Sequence, residues 1–339
     1  MSKSRIEFID LAKGFCIILV VMHHIQVSLH VNLPIDNFQQ IFRMPLYFFL
    51  SGLFFKTYEN FWGFIKRKTN KLLIPFFFFF LVTSILLPYI ASNFLNYKIT
   101  DAENLGLSSL WSFIYPERFV NTPIWFLWGL FVLNIIFYMI FLFSEKFNKY
   151  KLLILVFLSF FIGIIGYSFG RFGINLPAFI DSAMTALPFY CAGFFINKFT
   201  SILRPNALDK YMILIILLCG IIAWISSYGG VHYMRNIYDI SIFFLYLGGM
   251  AGTIMIVYFA KLFKHLPGIS YWGRYSIIIL VTHQPLIRLY TSVVKHFFKE
   301  DIVVLFVTLV MMMMSYLIII PFMKRFFPYV TAQKDLIKI

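Results

Sequence analysis

Apolar runs of bilayer-spanning length recur from one end of the chain to the other, separated by short polar stretches. The pattern predicts ten helical spans, over 9–29, 41–55, 72–92, 123–143, 152–168, 181–197, 211–227, 239–260, 275–291 and 302–323. The second is short and contains Pro45, so it should tilt, break or borrow residues from Phe38 onward. The longest piece between spans, 93–122, reads either as a plain loop or as a cap over a pocket. No internal repeat, heptad array or appended soluble domain interrupts the pattern. Residues 1–339 therefore read as a single integral-membrane domain, all-α and polytopic.

The first span breaks its own pattern. It carries Asp10, Lys13 and the adjacent His23 and His24 within an otherwise apolar run. Ionisable groups are costly in hydrocarbon, so those inside a span are functional candidates. At about 100° per residue, Lys13 and His24 return to nearly one face, with Asp10 on the same stripe. His23 points about 100° away. Lys13 and His24 are then about 16 Å apart along the axis, on a helix suited to hold something long.

Composition agrees with the spans and adds two exclusions. With 61% hydrophobic residues, 13% charged and a mean hydropathy of +0.84, the chain is not an ordinary soluble protein. Cys16, Cys191 and Cys219 all fall in apolar segments without CxxC spacing, so neither a disulfide framework nor a metal site is expected. The net charge of +15 would suit nucleic acid, but its placement argues for topology instead. With the N-terminus inside, roughly 21 of the 29 Lys and Arg fall on the inner side. Asp101, Glu103, Glu117, Glu300 and Asp301 fall outside. Ten spans with both termini cytoplasmic satisfy the positive-inside rule.

The densest cationic patch is the inner loop Phe64 to Pro75, with Lys66, Arg67, Lys68 and Lys71. Such a patch can merely hold a loop in the cytoplasm against anionic lipid. Lys68 and Lys71 also share a face and could clasp a phosphate-rich ligand. His24 has the pKa range of a general base toward a hydroxyl, or is a hydrogen-bonded core histidine. His283 lies mid-span, two residues before Pro285. Arg43 is placed at the outer mouth, and the Ser51–Gly52 pair further in reads first as close helix packing. Trp125 opens the fourth span, where an interface anchor would also sit. Asp181 and Asp239 begin spans from the outer side; either could orient a His or bind an acceptor, and capping the helix is the simpler reading.

In succession these stretches resemble the integral-membrane acyltransferase 3 family, and within it the fucose 4-O-acetylase-like branch. The shared features are Lys13 and His24 separated by ten positions, Phe42 to Gly52 with Tyr47 as a variation, and Lys68-x-x-Lys71 before Leu72-Leu73-Ile74-Pro75. Trp125-Phe126-Leu127 and the Ser276, His283, Pro285 series complete them. The family pattern has Arg where this chain has Lys68 and Lys71, and many relatives have Arg in place of Lys13. Lysine keeps the charge but not the bidentate fork.

The resemblance implies an O-acyltransferase, most simply an O-acetyltransferase, in a bacterial plasma (inner) membrane. The co-substrate would be acetyl-CoA or another acyl-CoA, with no permanently bound cofactor. The acceptor would be a hydroxyl of a cell-surface or lipid-linked sugar. His24 would be catalytic. Lys13, Arg67, Lys68 and Lys71 would hold the donor. Arg43, Trp125, His283 and Ser51 would contact the acceptor or its pocket, and Asp10 and His23 would support the site. Membrane lipids are expected partners, nucleic acid is not, and a homodimer is allowed. The competing reading is a glycan transporter or flippase with no acyl-transfer chemistry.

Overall fold

All ten apolar runs fold as helices in the computed structural model, which describes residues 6–58, 60–94 and 121–338. Most of the candidate cap over 93–122 lies outside the described residues. Nine described helices are long and apolar enough to cross a membrane. They are α1 (Glu7–Leu29), α3 (Phe61–Ile90), α4 (Thr122–Glu145), α5 (Asn148–Arg171), α6 (Pro177–Phe199), α7 (Ala207–Ser226), α8 (Ile242–Phe263), α10 (Ser276–Phe297) and α11 (Asp301–Phe326). The fold is an all-α, multi-pass membrane bundle.

The tenth run is α2 (Asp36–Leu53), and of the outcomes expected for it the helix takes the borrowing of residues ahead of the run, from two positions before Phe38. It starts five residues before the predicted span, and it continues unbroken through Pro45. By composition it is too polar to face lipid, carrying Asp36, Gln39, Gln40 and Arg43. Its position resolves this, because α6, α8 and α1 surround it. Glycines let these backbones touch: a side chain at Gly52 would strike the Tyr190 carbonyl, and one at Gly193 would strike that of Phe49. Gly52 thus has the packing role that its Ser-Gly setting suggested. Around this centre the apolar windows of α1 and α6 are each 67% buried, whereas that of α7 is 6% buried and faces outward.

α3 also begins earlier than predicted, so the cationic patch is helix and not loop. Within it, the Ile74 N–H bonds back five residues to the Thr69 carbonyl, a widened turn just before Pro75. Proline has no N–H to give, and such a turn absorbs the break. The patch turns Asn70 fully inward.

With α2 as the returning leg, the ten described helices bring the start of α1 and the segment after α11 to one end of the bundle, the basic end. A short helix, α9 (Pro267–Arg274), packs beneath α1 there, with Gly273 against the Asp10 carbonyl and Gly14 against that of Ile269. At the far end, α1 and α2 are tied by side-chain amides: Gln26 and Gln39 both donate to the Asp36 carboxylate, at 2.9 and 2.6 Å.

Between α7 and α8 the far end carries a small hairpin, β1 (Val231–His232) against β2 (Ile237–Tyr238), with Val231 paired to Tyr238. Its turn is held by Asn236, buried and left-handed at φ 51°. Asn236 accepts from Thr185 Oγ1 (3.0 Å) and Tyr238 Oη (2.8 Å) and donates to the Gly166 carbonyl (2.9 Å). Gln40 on α2 accepts from Val231 N–H at 3.2 Å, so the hairpin is bolted to three helices. Asn236→Ala should therefore lower the unfolding midpoint of the detergent-solubilised protein, with a loss of about 3 kcal/mol from the orphaned partners and the positive φ. An unchanged midpoint would show that the hairpin is not anchored there.

Candidate active site

On α1, residues Lys13, Ile17, Val20, His24 and Val27 follow each other at steps of four and three, which keeps them on one helical face. That face is one wall of a cavity of about 780 Å³. The predicted stripe is thus real as geometry: Lys13 and His24 line the same space on one unbroken helix. Lys68, Lys71, Ser51 and Ser276 line the basic end with Lys13. Arg43, Tyr47 and Trp125 line the middle, and His232, Tyr233 and Arg235 of the hairpin line the far end. Tyr47 donates to the Lys13 carbonyl at 3.3 Å and so ties α2 to α1 beside the lysine.

Several expected residues sit elsewhere. Arg67 does not line the cavity; one residue round the helix from Lys68, it lies over the Tyr58 ring at 4.5 Å. Arg43 is not at the outer mouth. It is buried, and its carbonyl accepts from Cys16 Sγ at 3.0 Å, well inside α1. His23, expected to point away, lines the cavity as well, because the wall turns there to include the hairpin. His283 does not reach the space where an acceptor would lie; it is fully buried behind His24, ring centroids 5.2 Å apart. Its Nδ1 donates to the Ile279 carbonyl at 2.8 Å, a partner that only accepts, so Nε2 of the neutral ring carries the lone pair, and it has no partner among the described residues. Asp10 is buried at α9 and does not line the cavity. Asp181 is not a cap: it lies inside the first turn of the regular α-helix that starts at Ile180 within α6, and its carboxylate accepts from Ser182 N–H at 2.9 Å.

A model of the family described as the acyltransferase domain, acyltransferase 3, matches residues 6–324. The chain belongs to this acyltransferase family. No curated protein and no solved structure matches it. The match runs from the start of α1 into the last turn of α11, so every residue that lines the cavity lies within it.

The acyltransferase has site features that the motifs did not disclose. His232, Tyr233 and Arg235 come from a stretch too short and mixed to read as an element; its one local signal is Arg235-Asn236, a turn pair that tolerates the left-handed region. Partial burial, then Arg235 and Arg43, hold His232 below the usual histidine range, against the opposing pull of Asp239. The fixed positive charge at this end is therefore carried by the arginines. Gln284, next to His283, also reaches the cavity.

The basic end holds one more surprise. The segment after α11 folds back onto the cationic patch. Asn70 accepts from the N–H groups of Leu336 (2.9 Å) and Ile337 (2.8 Å) and donates to the Ile337 carbonyl (2.8 Å). Lys71 donates to the Ala332 carbonyl at 3.0 Å and pairs with Asp335 at 2.9 Å. One of the cavity's lysines thus already holds a carboxylate. Asn70→Ala should release this tail, seen as faster tryptic cleavage at Lys334 and Lys338 in folded protein; unchanged cleavage would mean that the tail is held by other contacts.

Proposed function

We propose that this acyltransferase moves an acyl group, most simply acetyl, from cytosolic acyl-CoA to a sugar hydroxyl presented at the far end of the bundle. The observation that carries the reading is the single cavity joining three lysines at the basic end to His24, about 16 Å up the same helix as Lys13. That separation is comparable with an extended pantetheine arm. The lysine cluster suits the phosphates of CoA as point charges. Ile17 and Val20 between Lys13 and His24 offer the arm an apolar wall. Arg67, turned away on Tyr58, is left out of the donor site.

At the middle of the cavity His24 acts as general base. It takes the proton of the acceptor hydroxyl as that oxygen attacks the thioester carbonyl. The carbon–sulfur bond then breaks, and the departing CoA thiolate takes the proton back from the His24 imidazolium. Transfer is taken as direct, with the donor held at the lysine end and the acceptor at the far end of the same cavity. His283 behind it is a positioning residue, whose unpartnered Nε2 can hold the proton-bearing nitrogen of His24. Lys71 reaches CoA by exchanging Asp335 for a phosphate.

The test is label transfer from acetyl-labelled CoA to a glycan panel by protein in liposomes. His24→Ala should lower kcat by about a thousandfold with normal insertion, in keeping with loss of a general base. His23→Ala should chiefly raise the acceptor KM, since His23 lines the acceptor side. Equal loss of kcat in both variants would remove His24 from its special role. Lys68→Glu with Lys71→Glu should raise the acyl-CoA KM by about tenfold or more and spare the acceptor KM; the reverse would put the donor elsewhere. Glycan crossing the bilayer without label transfer would favour transport over chemistry.

A further inference from the structure

The far half of the cavity has an imbalance that acyl transfer to a neutral sugar leaves unexplained. Arg43 is only 8% exposed, yet its Nη1 has no hydrogen-bond partner among the described residues. A guanidinium withdrawn from water is strongly destabilising unless an anion or several acceptors complete it. Arg235 adds a second fixed positive charge at the mouth, and among the described residues no carboxylate lines the cavity. The carboxylates nearest in effect are committed elsewhere. Asp36 receives the amides of Gln26 and Gln39, and Asp239 lies off the cavity beside His232.

The remaining wall specifies more than an anion. Tyr233 Oη, His23 Nδ1 and Gln284 Oε1 are also buried, also without partners among the described residues, and all belong to residues lining this cavity. Three separate polar groups beside one arginine fit a ligand with several hydroxyls, not a simple ion or an alkyl chain. Trp125 adds an aromatic wall on which a sugar ring can lie. The phosphates of CoA have their own lysines at the opposite end, so they do not account for Arg43.

We propose that the acceptor is an anionic sugar, bearing a carboxylate or a phosphate, whose charge is taken by Arg43 with Arg235 guiding it at the mouth. This rests on the reading of the far chamber as the acceptor site. The guanidinium fork matches either oxyanion with two parallel hydrogen bonds. In the low-dielectric cavity the pair is worth more than at a surface, and a neutral analogue leaves the arginine uncompensated. Discrimination against the neutral sugar follows from that penalty, and the two arginines at different depths also draw the anion inward.

The experiment is equilibrium binding to detergent-purified protein by calorimetry, with glucuronate, glucose 1-phosphate and glucose as probes and no acyl-CoA present. At least one anion should bind about tenfold tighter than glucose, and its identity says whether the carboxylate or the phosphate is read. Arg235→Gln, at an exposed position that does not threaten folding, should weaken the anion severalfold and leave glucose unchanged. Arg43→Gln should abolish the preference. If neither anion binds tighter than glucose, or if Arg235→Gln weakens anion and glucose alike, the proposal is wrong. Because the readout needs no donor, it stands apart from the acyl-CoA chemistry: failure of label transfer from CoA with the anion preference intact would count against that chemistry alone.

Discussion

A charge cannot face hydrocarbon, and this chain places several at membrane depth. Lys13, His24 and Arg43 lie on α1 and α2, whose polar positions are enclosed by neighbouring helices. The bundle is arranged to satisfy them. α6 and α8 close on α2 through glycines, α9 shields the start of α1, and the outward surface is left to helices such as α7 that carry no such burden. The cavity follows from this arrangement, since polar faces turned away from lipid and from each other's backbones leave a lined space between them.

That space is chemically graded. Its basic end presents lysines near the cytoplasmic side expected from the charge distribution, where a polyanion from solution would meet them. Its far end presents arginine, amide and hydroxyl groups fixed by a hairpin and by the α1–α2 amide ties. His24 stands between, backed by His283. A substrate entering from either end encounters a different surface before reaching the same imidazole.

Much of this was legible in the residues. Span positions follow from apolar length, and the Lys13–His24 relation follows from helix periodicity because α1 is unbroken. What failed to show in the sequence depends on contacts between helices. Whether His23 lines the cavity is set by where the hairpin lands, and whether His283 does is set by its place behind His24. Arg43 looked peripheral because α2 was read as starting five residues late. Arg67 was grouped with Lys68 by proximity in the chain, but one helical step turned it onto Tyr58. The hairpin residues had no periodicity to announce them, and their positions are fixed by Asn236 bonds to residues far away in the chain.

The clasp of Asn70 on Leu336 and Ile337 has a consequence for biogenesis. Its two sides are separated by 266 and 267 positions. While the ribosome is still supplying the last helix, the inward-turned amide of Asn70 has neither of these partners, and Lys71 has no Asp335. The basic mouth is thus completed only after α11 has been made and the segment behind it can fold back. A chain released early would hold its helices in the membrane and yet present an unfinished doorway to the cell.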